Sequence, residues 1–364
     1  MRKFWEISRN VILLLMIWRI ALYIVERYSS MVPLHIGYNG PSPWANHDGI
    51  YYLRIAEYGY FHLSEAFFPF YPILISSFRK LFDVPYWIIG TYISLASYSI
   101  GVLIFHSYVY GTNKHTALWT VVFLITFPTS FFFCAVYTEG LFFLLSVLVY
   151  VFSKRKLWMW AGIFGALASA TKLFGALLLF YAAIEYISQK PKKILLRDIV
   201  SILCIPMGLI VYMTYLYVAK GDPLYFFHMQ PLFGANRTDG IIILPQVVWR
   251  YLKILFTAFL QPTPVSYFIS IVELIATLFG YCVLWLGWKM KTSWSDLMYS
   301  FLVITLPTLT GTLSSMPRYI LSAFPLFLIL GKLDNRSLQY SIVLLFVILQ
   351  IILSALFLRG WFVA

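Results

Sequence analysis

Seven apolar stretches follow one another along this chain, at residues 11–25, 86–109, 136–152, 199–218, 267–288, 297–313 and 341–358. Each comes near the about 20 residues that a helix needs to cross a bilayer. They leave no interval for a separate soluble domain. The composition agrees: 61% of the 364 residues are hydrophobic and 11% are charged, where soluble chains carry about 45–50% and about 25%. The expected fold is an all-α polytopic membrane protein, one integral domain over residues 1–364.

The formal net charge of +13 points to nucleic acid only until the charges are located. They gather at the ends of the apolar runs: Arg2, Lys3 and Arg9; Lys154, Arg155 and Lys156; Lys190, Lys192, Lys193 and Arg197; Lys289 and Lys291; Lys332 and Arg336. Such groups mark cytoplasmic loops and orient the chain. No basic stripe with stacking aromatics stands apart from the membrane, so no nucleic-acid partner is expected. Aromatic residues, 20% of the chain, suit contacts with membrane lipids and sugar-stacking surfaces alike. Cys134, Cys204 and Cys282 read as small buried hydrophobes. Arg19 interrupts the first run, and Glu26-Arg27 follows it in place of a small-residue cleavage site, so this run is expected to stay as an anchor.

With Arg2, Lys3 and Arg9 in the cytoplasm, the first helix runs outward and residues 28–85 form an extracytoplasmic segment. Alternation then puts the later basic groups inside. It also calls for two short crossings in residues 157–188 with a turn near Thr171-Lys172, the alternative being one long helix with Lys172 snorkelling. A second extracytoplasmic segment spans residues 220–264, further helices flank residues 314–319, and the C-terminus emerges outside. The total is about eleven crossings. No internal repeat is visible.

With 14 acidic residues, each can be placed. Glu6, Glu26, Glu185, Asp198, Asp296 and Asp334 lie near helix ends, where solvation explains them. Asp48, Glu57, Glu65 and Asp83 belong to the first external segment, Asp222 and Asp239 to the second. Glu139 and Glu273 fall at membrane depth, where a carboxylate needs a partner or a water-filled cavity. The stretch HDGIYYLRIAEYGY, residues 47–60, reads as an interfacial helix that Asp48 can cap and Gly59 can close. AFFPFYPILISSFRKLF, residues 66–82, reads as a second, entered through a Pro-restricted bend. Tyr137, Glu139, Lys172 and Arg318 fall at the same outer boundary. Two cations facing acids suit a phosphate leaving group and a hydroxyl to be deprotonated; each also has a plainer reading as a structural ion pair or a snorkelling side chain. The chain has no GxxxxGK[ST], HExxH or GxSxG motif. Its 6 histidines show no ligand spacing, although His47 beside Asp48 could touch a cation.

HDGIYYLRIAEYGY followed by AFFPFYP resembles the PIG-V type GPI mannosyltransferases and their prokaryotic relatives, which carry W-D-x-x-x-[YF]-x-x-I-A-x-x-G-Y and then A-F-F-P-x-[YF]-P. The likeness continues in family order through YTEGLFFLLS from Tyr137, ATKLFGALLL from Ala170, GDPLYFFHMQ from Gly221 and SMPRYILSAFPLF from Ser315. The resemblance implies a GT-C type glycosyltransferase fold with its site on the extracytoplasmic side. It implies a polyprenyl-phosphate-linked sugar as donor, with mannose as the first candidate, a lipid or glycan hydroxyl as acceptor, and Asp48 as catalytic base. Glu139, Lys172 and Arg318 match positions expected near the donor phosphate or acceptor. We assign Lys172 and Arg318 to the phosphate, and His47, Glu57, Glu139 and Tyr137 to the sugar or acceptor. The chain departs from the pattern at His47, where the family often has Trp, and at Lys172, where relatives often have Arg. The first bears on the identity of sugar or acceptor; the second keeps the charge but loses bidentate phosphate recognition.

No cofactor is expected to be obligatory, because no acidic pair of ligand type is visible; the alternative is a divalent cation bridging Asp48 and the phosphate. Two other readings remain. One is a transporter or lipid flippase using Glu139, Glu273 and Arg19 as an intramembrane path. The other is a non-catalytic assembly subunit in which Asp48 only caps a helix. For the orientation, Asp48→Cys in a chain whose own cysteines are replaced is expected to react with an impermeant maleimide added outside intact cells. Labelling only from the cytoplasmic side reverses the topology.

Overall fold

The computed structural model describes residues 2–35, 40–191, 193–233, 237–238, 240–257 and 264–364. Lys192 and Asp239, and the side chains of Arg2, Lys3 and Glu6, lie outside the described residues. No strand occurs among the described residues. The helices are α1 (Arg2–Tyr28), α2 (Asp48–Tyr58), α3 (Phe70–Leu81), α4 (Tyr86–Tyr110), α5 (Lys114–Thr126) and α6 (Glu139–Lys154). They continue with α7 (Trp158–Thr171), α8 (Phe174–Ser188), α9 (Leu196–Leu203), α10 (Met207–Lys220), α11 (Tyr225–His228) and α12 (Leu244–Thr257). The last are α13 (Pro264–Lys289), α14 (Trp294–Thr308), α15 (Met316–Ser322), α16 (Pro325–Gly331) and α17 (Arg336–Leu358).

Among the described residues, four helices are long and apolar enough to cross a membrane alone: Ser8–Met31, Tyr86–Tyr110, Val265–Lys289 and Arg336–Leu358. At most 44% of each apolar window is buried inside the protein. The remaining apolar faces point outward, as in a chain whose solvent is lipid. The pair α9 and α10, bent by 48°, makes a fifth when taken as one broken span. The bend falls where Pro206, which has no N–H to give, precedes α10. The apolar run at residues 199–218 is therefore two helices in series. Cys204 and Cys282 are exposed rather than buried, in contrast to Cys134, because a lipid-facing position suits a small apolar side chain as well as the core does.

The turn expected near Lys172 is present: α7 stops at Thr171 and α8 starts at Phe174, with Lys172 extended between them. Both helices expected in residues 28–85 are present as well, α2 at Asp48–Tyr58 and α3 starting after Pro69. Gly59 ends α2 with φ +81, and its N–H reaches the Ile55 carbonyl.

The core is built around α6, which is buried along most of its length and packs on α4, α7 and α8. At 1.5 Å per residue its two ends lie about 24 Å apart. At the Lys154 end, Lys154 Nζ and Ser295 Oγ both bond Glu185 Oε2 at 2.7 Å. At the Glu139 end, Lys220 Nζ meets Glu65 Oε1 at 2.7 Å, tying the two long loop segments together. The end of α17 arrives there too, since Asn46 Nδ2 donates to the Phe357 carbonyl at 2.5 Å and Arg359 Nε to the Val32 carbonyl at 2.9 Å.

Small residues let the helices approach this closely. A Cβ on Gly140 would lie 2.2 Å from the Ser94 carbonyl oxygen of α4. Gly140→Ala is therefore expected to destabilise the chain by about 1–3 kcal/mol through overpacking, read as earlier thermal unfolding in detergent. An unchanged transition would mean that α4 and α6 are not in contact at this level.

Candidate functional site

Asp48 is the first residue of α2, and the loop before it is strapped from several sides. The Val136 N–H donates to the Trp44 carbonyl at 2.9 Å and the Tyr137 hydroxyl to the Asn46 carbonyl at 2.9 Å. Trp44 Nε1 donates to Glu26 Oε2 at 3.0 Å. His47, with φ 49 and ψ −113, stands at the cap position and makes no side-chain cap bond. Asp48 instead accepts a hydrogen bond at Oδ2 from Arg318 Nη1 at 2.6 Å. A carboxylate committed to an arginine 270 residues away does more than end a helix.

Arg318 is carried by α15. The turn before that helix is held by an acid from α13: the Ser315 N–H donates to Glu273 Oε1 at 3.2 Å, and the Tyr251 hydroxyl donates to Glu273 Oε2 at 2.7 Å. The Leu313 N–H reaches the Tyr251 oxygen at 3.1 Å. Thr129 Oγ1 fixes the Pro317 carbonyl at 2.7 Å. The membrane-depth carboxylate of Glu273 thus has its partners. Arg19 lies over Trp44, 5.5 Å from the ring centroid, so Arg19, Glu139 and Glu273 are each engaged separately.

Glu139 opens α6 and is 3% exposed. Its Oε1 receives Lys172 Nζ at 2.9 Å, and Arg318 Nε lies 3.6 Å from the same oxygen. Lys172 Nζ also donates to Ser322 Oγ at 3.3 Å. Asp48, Arg318, Glu139 and Lys172 therefore form one continuous ionic chain assembled from α2, α15, α6 and the turn between α7 and α8.

All four line a cavity of about 600 Å³, within the range of about 300–1,000 Å³ typical of small-molecule sites. Phe67, Phe68, Phe226, Phe233, Ile241 and Leu306 supply much of its apolar wall. Tyr51 stacks on Phe67 with centroids 4.8 Å apart. Burial alone would raise the Asp48 carboxyl, but the charge and hydrogen bond of Arg318 outweigh it and hold the group below the ordinary carboxylate range. Burial lowers His47, so its imidazole stays neutral near neutral pH. The ring stands edge-on to Phe362 at 5.5 Å.

Two predicted site residues lie elsewhere. Glu57 is exposed on α2 and does not line the cavity; at nine residues from Asp48 it falls on the opposite face of the helix. Tyr137 is 2% exposed and sits behind the site, its ring 5.3 Å from the Arg318 guanidinium carbon. Three residues that the sequence reading missed are present. Arg237 and Tyr319 line the cavity with Gln230. Arg237 Nη1 donates to Gln230 Oε1 at 2.6 Å and Nη2 to the Tyr319 hydroxyl at 3.4 Å. Arg237 could have been noticed as the only Lys or Arg between Lys220 and Arg250, in a segment expected from the charge pattern to lie outside, where positive charge is disfavoured.

No group of three or more metal-type side chains comes together among the described residues. The two cavity acids among the described residues are both bonded to cations, a donor set that does not fit a divalent ion. No family model, curated protein or solved structure matches the chain.

A carboxyl lowered in the native state contributes stability above its ordinary value and loses it as pH falls through the native value. The ordinary value for Asp48 is 3.8. The unfolding temperature of the wild type is therefore expected to exceed that of Asp48→Asn at neutral pH, with the gap closing only as pH drops below 3.8. A gap that closes already at higher pH would contradict the pairing with Arg318.

Proposed function

We propose that this chain is a GT-C type glycosyltransferase similar to the PIG-V type mannosyltransferases. It moves a sugar, with mannose as the first candidate, from a polyprenyl-phosphate donor to a hydroxyl of a lipid or glycan acceptor. The observation that carries the proposal is the meeting of Asp48, Glu139, Lys172 and Arg318 at one cavity, because these are the positions at which the motifs of that family fall.

The chemistry follows from the arrangement. Asp48 takes the proton of the acceptor hydroxyl, which attacks the anomeric carbon, and the lipid phosphate departs as an anion near Lys172 and Arg318. Direct displacement inverts the anomeric configuration. The aromatic wall suits both a sugar face and an isoprenoid chain.

The topology in this proposal is a cell-membrane protein of eleven crossings, counting α9 with α10 and α15 with α16 as single broken spans. The shorter helices, such as α5 with 13 residues and α7 with 14, would cross where the bilayer thins or is shielded by neighbours. The basic groups face the cytoplasm and the cavity faces outside. An odd count agrees with the meeting of the α17 end and the first long loop at one end of the bundle.

Full-length protein in vesicles, given polyprenyl-phosphate mannose and a panel of glycolipid acceptors, is expected to yield an inverted glycoside detectable by mass spectrometry. Asp48→Asn should lower the rate by about 10²–10⁴ without loss of folded protein. Full activity in that variant would remove Asp48 as the base. Silence with polyprenyl-phosphate mannose, glucose, galactose and arabinose donors, alongside ion-coupled uptake of a solute, would replace the enzyme with a transporter.

A further inference from the structure

Among the described residues, the cavity is lined by three cations, Lys172, Arg237 and Arg318, and two carboxylates, Asp48 and Glu139, one positive charge in excess. The partners are unequal. Arg318 has Asp48 at 2.6 Å and Lys172 has Glu139 at 2.9 Å. Arg237 has only neutral partners among the described residues, the Gln230 side-chain oxygen and the Tyr319 hydroxyl. Tyr319 joins the three: its ring centroid is 5.7 Å from the Arg318 guanidinium carbon and 5.6 Å from Lys172 Nζ. A guanidinium with no carboxylate in contact, feeling Asp48 and Glu273 only at longer range, draws an anion toward it.

We infer that Arg237 holds the single charge that the donor phosphodiester carries before reaction, while Arg318 takes the second charge that develops as the sugar leaves. The inference rests on the transferase reading above. A phosphodiester carries one negative charge, which matches the excess among the described lining residues. In the transfer, the acceptor oxygen bonds the anomeric carbon and its proton passes to Asp48. The bond from that carbon to the phosphate oxygen breaks, and its electron pair stays on the phosphate as a second negative charge. Protonation cancels the charge of Asp48, so Arg318 loses the nearer of its two counter-ions as the phosphate gains a negative charge. Over the described lining groups and the phosphate, the charges sum to zero at the start and at the end. Movement of Arg318 toward the phosphate also removes from Asp48 the group that weakens it as a base.

Interactions of equal strength in ground and transition states act on donor affinity, whereas those made only in the transition state act on turnover. The two arginines should therefore separate kinetically. In detergent-purified full-length protein, Arg237→Gln is expected to weaken binding of a short-chain polyprenyl-phosphate mannose by about tenfold or more. Arg237→Lys should restore most of that loss, and binding of a neutral alkyl mannoside should be unchanged. With the panel acceptor that gives product, Arg237→Gln at saturating donor should stay within about threefold of wild-type turnover. Arg318→Gln should bind the donor within about threefold and lose about a hundredfold or more in turnover. Donor binding by Arg237→Gln equal to the wild type overturns the inference, as does an equal loss of binding in Arg318→Gln. Both results leave the transferase reading intact if wild-type protein binds and turns over the donor. Failure of wild-type protein to bind it removes both.

Discussion

Everything at the cavity depends on the sharing of one guanidinium between two acids. Arg318 touches Asp48 at 2.6 Å and lies 3.6 Å from Glu139, and the side chains of Arg318 and Glu139 are 9% and 3% exposed. Charges held so far from water are tolerated only as a set, because removal of one partner strands the others. The set draws α2, α6, α15 and the α7–α8 turn to one end of the bundle. The ordered loop around Trp44 and the ordered turn around Ser315 are what allow it to form.

Scarcity of charge made much of this legible. In a chain where 11% of residues are charged, an acid or cation between apolar runs stands out, and helical alternation assigns it to an end. That logic places Asp48, Glu139, Lys172 and Arg318 together, as well as the break of the helix at Lys172. It has no access to rotation about a helix axis unless periodicity is applied. Glu57 shares a loop with Asp48 but points away from the cavity for that reason. Tyr137 precedes Glu139 by two residues, yet it serves as the buried floor under Arg318 rather than as a ligand-facing group.

Arg237 escaped for a different reason. It lies outside regular helix, in the stretch between α11 and α12, where neither the period of 3.6 residues nor alternation of crossings says what a side chain meets. The break between α9 and α10 was equally hidden, because the apolar character continues across Pro206 while the hydrogen-bond ladder does not.

Glu273 carries a consequence of its own. Its carboxylate never enters the cavity, yet it fixes the backbone turn from which Arg318 is launched, with Tyr251 as its brace. Were the chain the proposed transferase, a survey by loss of activity alone would rank Glu273 and Tyr251 beside Asp48. Only measurements that separate a misplaced arginine from a missing carboxylate distinguish the scaffold of this site from the groups that line it.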